Sequence, residues 1–474
     1  MKLRRLTLAI VIIITGCNKG NLAPSTPTQT TTTPITVSIN QSQKGAFVPS
    51  TFLGLSYETG ILAESPDFLN ENNAVLIQLL NNLGKGILRI GGNTSDETQW
   101  TGSARNSATP PHSLTTTDVD RLAAFSKAAG WPVFFGLNLG HFNPDTAALE
   151  ADYVFNKLQN NLAALQIGNE PDAFKNHLRP ANYNFLDYQK EWNEYYNAVK
   201  KRVPKAHFTG PDVIPYDAGW ISSFANSERG NIHLLGSHYY YAGPASDPSI
   251  NYHTLLSNNV KLQDHLLQLS NTASKYKVPF RITEGNSVYG GGKPGVSDVF
   301  ASALWALNFM WVVAESNGQG VNFHGGEPRF AYTPITMENG VVSARPEYYA
   351  MLAFRDGAVG GKIIPATIYN PRAYDNCSVY ACANVNGTYS VTLINKEDSK
   401  NFSFTIQLSQ TASSIQVSRL AAPSITATTG TTFGGAEINA DGSFTPPRAV
   451  EQTINSKTFV VNVPAGSAAV VLIH

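Results

Sequence analysis

Two stretches of this chain place carboxylates where chemistry is done. Leu165-Gln-Ile-Gly-Asn-Glu-Pro-Asp172 is an apolar run that stops abruptly in Asn169-Glu170-Pro171. Pro171 lacks an N–H, so a strand cannot continue through it. Phe280-Arg-Ile-Thr-Glu-Gly-Asn286 repeats the pattern, an apolar run that ends on Glu284. A lone Glu at a strand end commonly sits in a salt bridge. Two of them on facing strands suit glycoside hydrolysis: one donates a proton to the leaving oxygen, the other attacks the anomeric carbon, and retaining enzymes hold the pair about 5–5.5 Å apart. Glu170 is the expected donor. Asn169 stands beside it with an amide suited to a sugar 2-OH. No cofactor is expected, and no metal either, since Cys377 and Cys382 with no nearby His supply too few ligands.

These residues need a frame that turns strand ends toward one another. From Phe52 to about Gly357 short apolar runs alternate with helical stretches. The runs at 52–57, 87–90, 133–137, 162–167, 207–210, 232–239, 280–283 and 321–324 read as strands. The intervening stretches at 72–83, 116–129, 144–158, 183–201, 218–225, 252–275, 296–315 and 347–356 read as helices. Eight such units predict an α/β fold, a (β/α)8 TIM barrel over residues 51–358. Glu170 then ends strand four and Glu284 ends strand seven, across the central pocket. A doubly wound open sheet is the rival, but Tyr57-Glu58-Thr59 after the first strand is no Gly-rich phosphate turn. Beyond 358 the helical period disappears. Runs at 379–386, 390–395, 402–408, 414–420, 457–463 and 468–472 predict a C-terminal β-sandwich over 359–474, joined by an N-terminal strand within 35–50.

Positions 1–17 read as a leader. Lys2, Arg4 and Arg5 precede an apolar run too short to span a bilayer, and Ile14-Thr-Gly-Cys17 resembles a bacterial lipobox. Cys17 is then the lipidated first residue of an exported, membrane-anchored lipoprotein, and the Pro/Thr-rich segment 18–34 a tether. Export makes a disulfide between Cys377 and Cys382 plausible. Lys+Arg and Asp+Glu balance at 34 each, so no basic excess exists to neutralise a nucleic acid. Aromatics at 10% against 14% charged residues suit a protein that stacks on weakly charged ligands.

Longer motifs narrow the reading. Leu88-Arg-Ile-Gly-Gly-Asn93, Ile167-Gly-Asn-Glu-Pro-Asp172 and Glu284-Gly-Asn-Ser-Val-Tyr-Gly-Gly-Gly292 resemble glycoside hydrolase family 79, which holds heparanase and bacterial and fungal β-glucuronidases. The resemblance implies Glu170 as acid/base and Glu284 as nucleophile. It implies that Tyr289, the backbone N–H near Gly291 and Tyr332 bind a uronate carboxylate. Glu58, Asn93 and Asp96 would hold hydroxyls on the far side of the ring, Tyr240 would contact the nucleophile or the ring, and His324 a hydroxyl. Which of Tyr239, Tyr240 and Tyr241 faces inward depends on register. Trp100 follows strand two and is a candidate subsite residue, whereas Trp131, Trp192 and Trp220 read as core. The implied substrate is a glycan or glucuronide bearing glucuronic acid or its 4-O-methyl ether, cleaved from the end. The alternatives are a relative acting on another sugar and a non-catalytic glycan-binding lipoprotein.

Overall fold

The computed structural model describes residues 32–214, 218–326, 330–369 and 376–474. The leader, Cys17 and positions 18–31 of the expected tether lie outside the described residues.

Eight parallel strands close into a barrel. In chain order they are Leu53–Glu58, Ile87–Gly91, Val133–Leu137, Leu162–Ile167, Phe208–Val213, Leu234–Ala242, Phe280–Val288 and Val321–Gly325. The eighth pairs with the first through Val321↔Leu53. Every residue of the first, second, third and seventh strands is buried, because helices cover the outer face and side chains fill the inner one. That is why these runs are apolar rather than alternating.

The helices start where the sequence supplies a cap. Thr115 with Asp118 and Asn184 with Asp187 form reciprocal capping boxes, each satisfying two orphan backbone donors. Asn143 caps Pro144–Leu158, whose Pro144 sits in the first turn where its missing N–H costs nothing. The stretch 252–275, expected as one helix, is two: Tyr252–Leu256 and Val260–Tyr276. Asn259 breaks it, because its side chain accepts from Leu262 N–H and caps the second helix. Phe300–Glu315 is apolar around most of its circumference. It is covered on both sides: Trp311 stacks on Tyr380 of the C-terminal domain at 5.1 Å and 4°, and the Tyr380 hydroxyl donates to Asn308 Oδ1 at 2.9 Å.

The C-terminal domain is built on one hydrogen-bonded sheet of nine strands. The runs expected as separate strands at 402–408 and 414–420 form one strand, Asn401–Ala421. Its register against Glu451–Val463 slips between Gln407 and Ser414, so the strand bends there without ending. Its first half pairs with Thr32–Ile39, its second with Ser467–Ile473. Phe404 and Ile415, one from each half, share a core with Val391 and Val471. The strand thus passes from one layer of a sandwich to the other. Thr32–Pro34 pair with Asn401–Ser403, so those residues belong to the sheet and not to the tether.

No disulfide joins Cys377 and Cys382. Both lie on the strand Cys377–Ala383, five positions apart, and residues an odd number apart point to opposite faces of a sheet. Cys382 packs into the barrel's core and Cys377 against the sandwich core. Five strand residues also span roughly 16 Å, far beyond disulfide reach.

Candidate active site

The chain is irregular at both carboxylates, and Glu284, expected to end strand seven, lies inside it, because the strand runs on to Val288. Gly168 (φ 77°) and Glu170 (φ 48°) are left-handed, so the chain turns sharply off strand four, and Glu170 N–H donates to the Asp212 carbonyl at 2.9 Å. On strand seven the pairing with strand six runs Ile282↔Ser237, then Glu284↔His238, so Thr283 is the extra residue of a bulge. Bulges beside active sites re-aim the next side chain. Glu170, Glu284 and His238 each bring a polar side-chain atom to a common place, all within 4.8 Å of one another. This is the one such cluster of His, Cys, Asp and Glu among the described residues.

Glu284 is enclosed. Arg89 Nη1 donates to its Oε2 at 2.6 Å and the Tyr240 hydroxyl to its Oε1 at 2.8 Å. His324 Nδ1 stands 3.7 Å from Oε2. Burial opposes ionisation of Glu284, but His324, His238, Arg89 and the Tyr240 hydroxyl outweigh it and hold the carboxyl well below the usual range. Arg89 is itself locked by three further acceptors: Gln166 Oε1 at 2.9 Å, Ser56 Oγ at 3.1 Å and Asn169 Oδ1 at 2.8 Å.

Glu170 is half-open. Its Oε1 meets His238 Nδ1 at 2.8 Å, leaving the other oxygen toward the cavity. His238 is fully buried, with Nε2 3.9 Å from Asp212 Oδ1. Asp212 Oδ1 in turn accepts from Gln166 Nε2 at 2.7 Å and Thr283 Oγ1 at 2.5 Å. Gln166 thereby links the surroundings of both carboxylates. Burial raises the pKa of Asp212, against the pull of Arg89 and His238. Asp172 is pushed up to about 7 by burial and by the nearby Glu170.

A cavity of about 710 Å³ opens above the pair. Glu58, Asn93 and His324 line one side; Tyr241, Tyr289, Gly290 and Gly291 line another; Tyr240 and Tyr332 lie between. Glu58 Oε2 accepts from Thr94 N–H and Oγ1, and its Oε1 stands 3.4 Å from His324 Nε2. Burial lowers the His324 pKa but Glu284 and Glu58 outweigh it, so the ring is held toward its charged form. Gly92 (φ 72°) must be glycine, because a Cβ there would lie 2.4 Å from the Glu58 carboxyl carbon. The loop Gly290–Gly292 is left-handed throughout. Gly291 accepts from Ala331 N–H through its carbonyl, and among the described residues nothing takes its own N–H. Tyr289 is 46% exposed, with its ring against Gly243.

The expected residues therefore separate. Glu58, Asn93, Glu170, Tyr240, Glu284, Tyr289, Gly291, His324 and Tyr332 converge on one cavity. Of the three tyrosines, Tyr240 meets Glu284, Tyr239 stacks in the core on His265 and Phe309, and Tyr241 lines the cavity wall. Asn169 lies behind Asn93, donating to its Oδ1 at 3.1 Å. Asp96 does not face a sugar. It is 2% exposed, and its oxygens accept from the N–H groups of Leu139, Gly140 and Asn169. Burial pushes its pKa up to about 7 against those donors. Its work is to fix the backbone before Glu170. Trp100 lies outside this cavity, while Trp131, Trp192 and Trp220 are buried.

Arg89, His238 and Gln166 were not among the expected site residues. His238 had a usable signal: it is two residues before Tyr240, so on a strand both face the same way. Arg89 had one as well, an arginine inside an otherwise apolar strand.

Comparison with known proteins adds to this geometry. Residues 379–470 match the glycosyl hydrolase family 79 C-terminal beta domain. A β-glucuronidase of Aspergillus niger is 27% identical over 451 residues, covering 82% of this chain and 83% of its own. The fold is shared with a 4-O-α-L-rhamnosyl-β-D-glucuronidase from Fusarium oxysporum 12S, with TM-score 0.76 over 93% of this chain and all of that one at 18% identity. It is shared too with a GH51 arabinofuranosidase from Xanthomonas axonopodis pv. citri, at TM-score 0.69 over 93% of this chain and all of that one, with 16% identity.

Proposed function

We propose that this glycoside hydrolase of family 79 is a retaining, exo-acting β-glucuronidase. The observation that carries the reading is the carboxylate pair, with oxygens of Glu170 and Glu284 within 4.8 Å. An inverting pair holds its carboxyl groups about 6.5–9.5 Å apart to admit a water between carboxylate and sugar, and so close an approach of one oxygen from each favours the retaining arrangement.

The sequence of events follows from the surroundings of each group. Glu284, kept ionised by Arg89 and Tyr240, attacks the anomeric carbon. Glu170 passes its proton to the glycosidic oxygen as that bond breaks, and His238 holds its Oε1 so that Oε2 faces the leaving group. The result is a glycosyl ester on Glu284. Glu170, now a carboxylate, takes a proton from water, and the hydroxide equivalent displaces Glu284 with a second inversion. Net retention follows. The uronate carboxylate is met by Tyr289 and the Gly291 N–H, with Tyr332 beside them. Glu58, Asn93 and His324 hold ring hydroxyls. Glucuronic acid, or its 4-O-methyl ether, is released from a non-reducing end.

The test is hydrolysis of an aryl β-glucuronide followed by proton NMR. The β-anomer of glucuronic acid appears first if the mechanism is retaining; the α-anomer appearing first would end that claim. Activity confined to an aryl β-glucoside, β-xyloside or α-arabinofuranoside would remove the uronate and leave the glycosidase. The lipobox reading makes the enzyme an exported lipoprotein, periplasmic or surface-facing. Labelled palmitate would then be incorporated into the chain and not into Cys17→Ser.

A further inference from the structure

Outside the catalytic cavity, the loop after strand two and the helix Pro144–Leu158 enclose a second concavity. Its inner part, of about 270 Å³, is lined by Gln99, Trp100, Asn138, His141 and Glu150. Its outer part, of about 470 Å³, adds Leu149, Asp152, Tyr153 and Asn156 and shares Trp100 and Thr146 with the first. Together they form one groove with Trp100 at its middle.

The groove has the composition of a sugar-binding surface. Trp100 is half-buried and tilted on Tyr153 at 5.4 Å. Lys157 covers the Tyr153 ring at 5.0 Å and its hydroxyl is spent on Asp120, so Trp100 is the open aromatic platform. Leu149 beside it is 48% exposed. Among the described residues the indole N–H of Trp100 has no acceptor. Glu150 lines the inner part at 5% exposure, and nothing among the described residues hydrogen-bonds its carboxyl. Burial pushes its pKa up to about 8, so at neutral pH it offers one donor and one acceptor. Its carboxyl oxygens are not sealed off but open into the groove, where a ligand hydroxyl can meet them. No Lys or Arg lines either part, and Asp152 sits at the outer end, so an anionic sugar is disfavoured.

We propose that this groove is a second carbohydrate-binding site. It takes a neutral stretch of glycan, with a pyranose face on Trp100 and hydroxyls on Glu150, Gln99 and the indole N–H. The link to catalysis rests on the glucuronidase reading: the neutral chain would be the backbone that carries the terminal uronate. The turn Asn93–Asp96 joins the two places, since it presents Asn93 to the catalytic cavity while Asp96 binds the loop holding Asn138 and His141.

Isothermal titration of the full chain with xylohexaose, cellohexaose and laminarihexaose tests the site. At least one is expected to bind in the millimolar range, about tenfold more weakly to Trp100→Ala, with stacking retained in Trp100→Phe. Turnover of an aryl β-glucuronide is expected to be unchanged in Trp100→Ala, which also shows that the variant is folded. Failure of all three oligosaccharides to bind, or equal binding by Trp100→Ala, overturns the proposal. If the unmodified enzyme does not cleave the aryl glucuronide, the uronate reading falls while the titration still decides the groove.

Discussion

Strand four just past its end and strand seven at its middle both present a glutamate to the same cavity, and the two places are built in opposite ways. Glu284 stands on a bulge inside a strand buried along its whole length, with two hydrogen bonds on its oxygens, one of them from the Arg89 guanidinium. Glu170 stands three residues past its strand, in a left-handed turn, with a single side-chain partner. The difference matches what the proposed mechanism asks of each group. A nucleophile has to be ionised and aimed before the substrate arrives, which favours rigid enclosure by donors. An acid/base has to exchange protons with the leaving group and then with water, which needs an open oxygen.

Four measurements sharpen or break this contrast. Replacing Glu284 with Gln is expected to cost on the order of 10⁴-fold or more in kcat for every substrate, since no covalent step remains. Loss that instead depended on the leaving group would reverse the assignment. Glu170→Gln is expected to cost about 10²–10⁴-fold, most for poor leaving groups and least for nitrophenolate, which departs without a proton. Added azide should rescue turnover in that variant by attacking the glycosyl ester without base help. Arg89→Met is expected to cost about 10²-fold and to move the acid limb of kcat/KM to higher pH. The sign follows from the charge removed: Arg89 holds the Glu284 pKa down, so without it ionisation needs a higher pH. An unmoved acid limb would show that Arg89 acts only as a strut. Tyr240→Phe removes one neutral donor and is expected to cost about tenfold, with a smaller shift of the limb in the same direction.

The contrast also explains what could be read from the residues alone. Apolar runs that reach a Glu located both carboxylates, because a barrel strand is buried on both faces and a carboxylate after such a run stands out; strand seven nevertheless runs on to Val288. The eight runs emerged for the same reason. What stayed hidden was the interior wiring. Arg89 and Gln166 lie mid-strand, and their partners sit across the barrel on strands far away in sequence, so no local pattern announces them. Asp96 looked like a sugar ligand because it follows a strand, yet the turn buries it against backbone N–H groups. The disulfide expectation failed on strand geometry: Cys377 and Cys382 share a strand that the sequence placed at 379–386, which left Cys377 outside it.

The strand Thr32–Ile39 has a consequence for the order of assembly. It lies between Ala366–Tyr369 and the first half of Asn401–Ala421, so its partners are synthesised more than three hundred residues after it. During translation the barrel can close while this segment waits with both hydrogen-bonding edges unfilled, exposed to mispairing with other chains. Completion of the sandwich is therefore a late, long-range event, and such contacts fold slowly because loop closure precedes their reward. A chain stopped before residue 400 would keep every cavity side chain described here and still leave one edge of this strand unpaired.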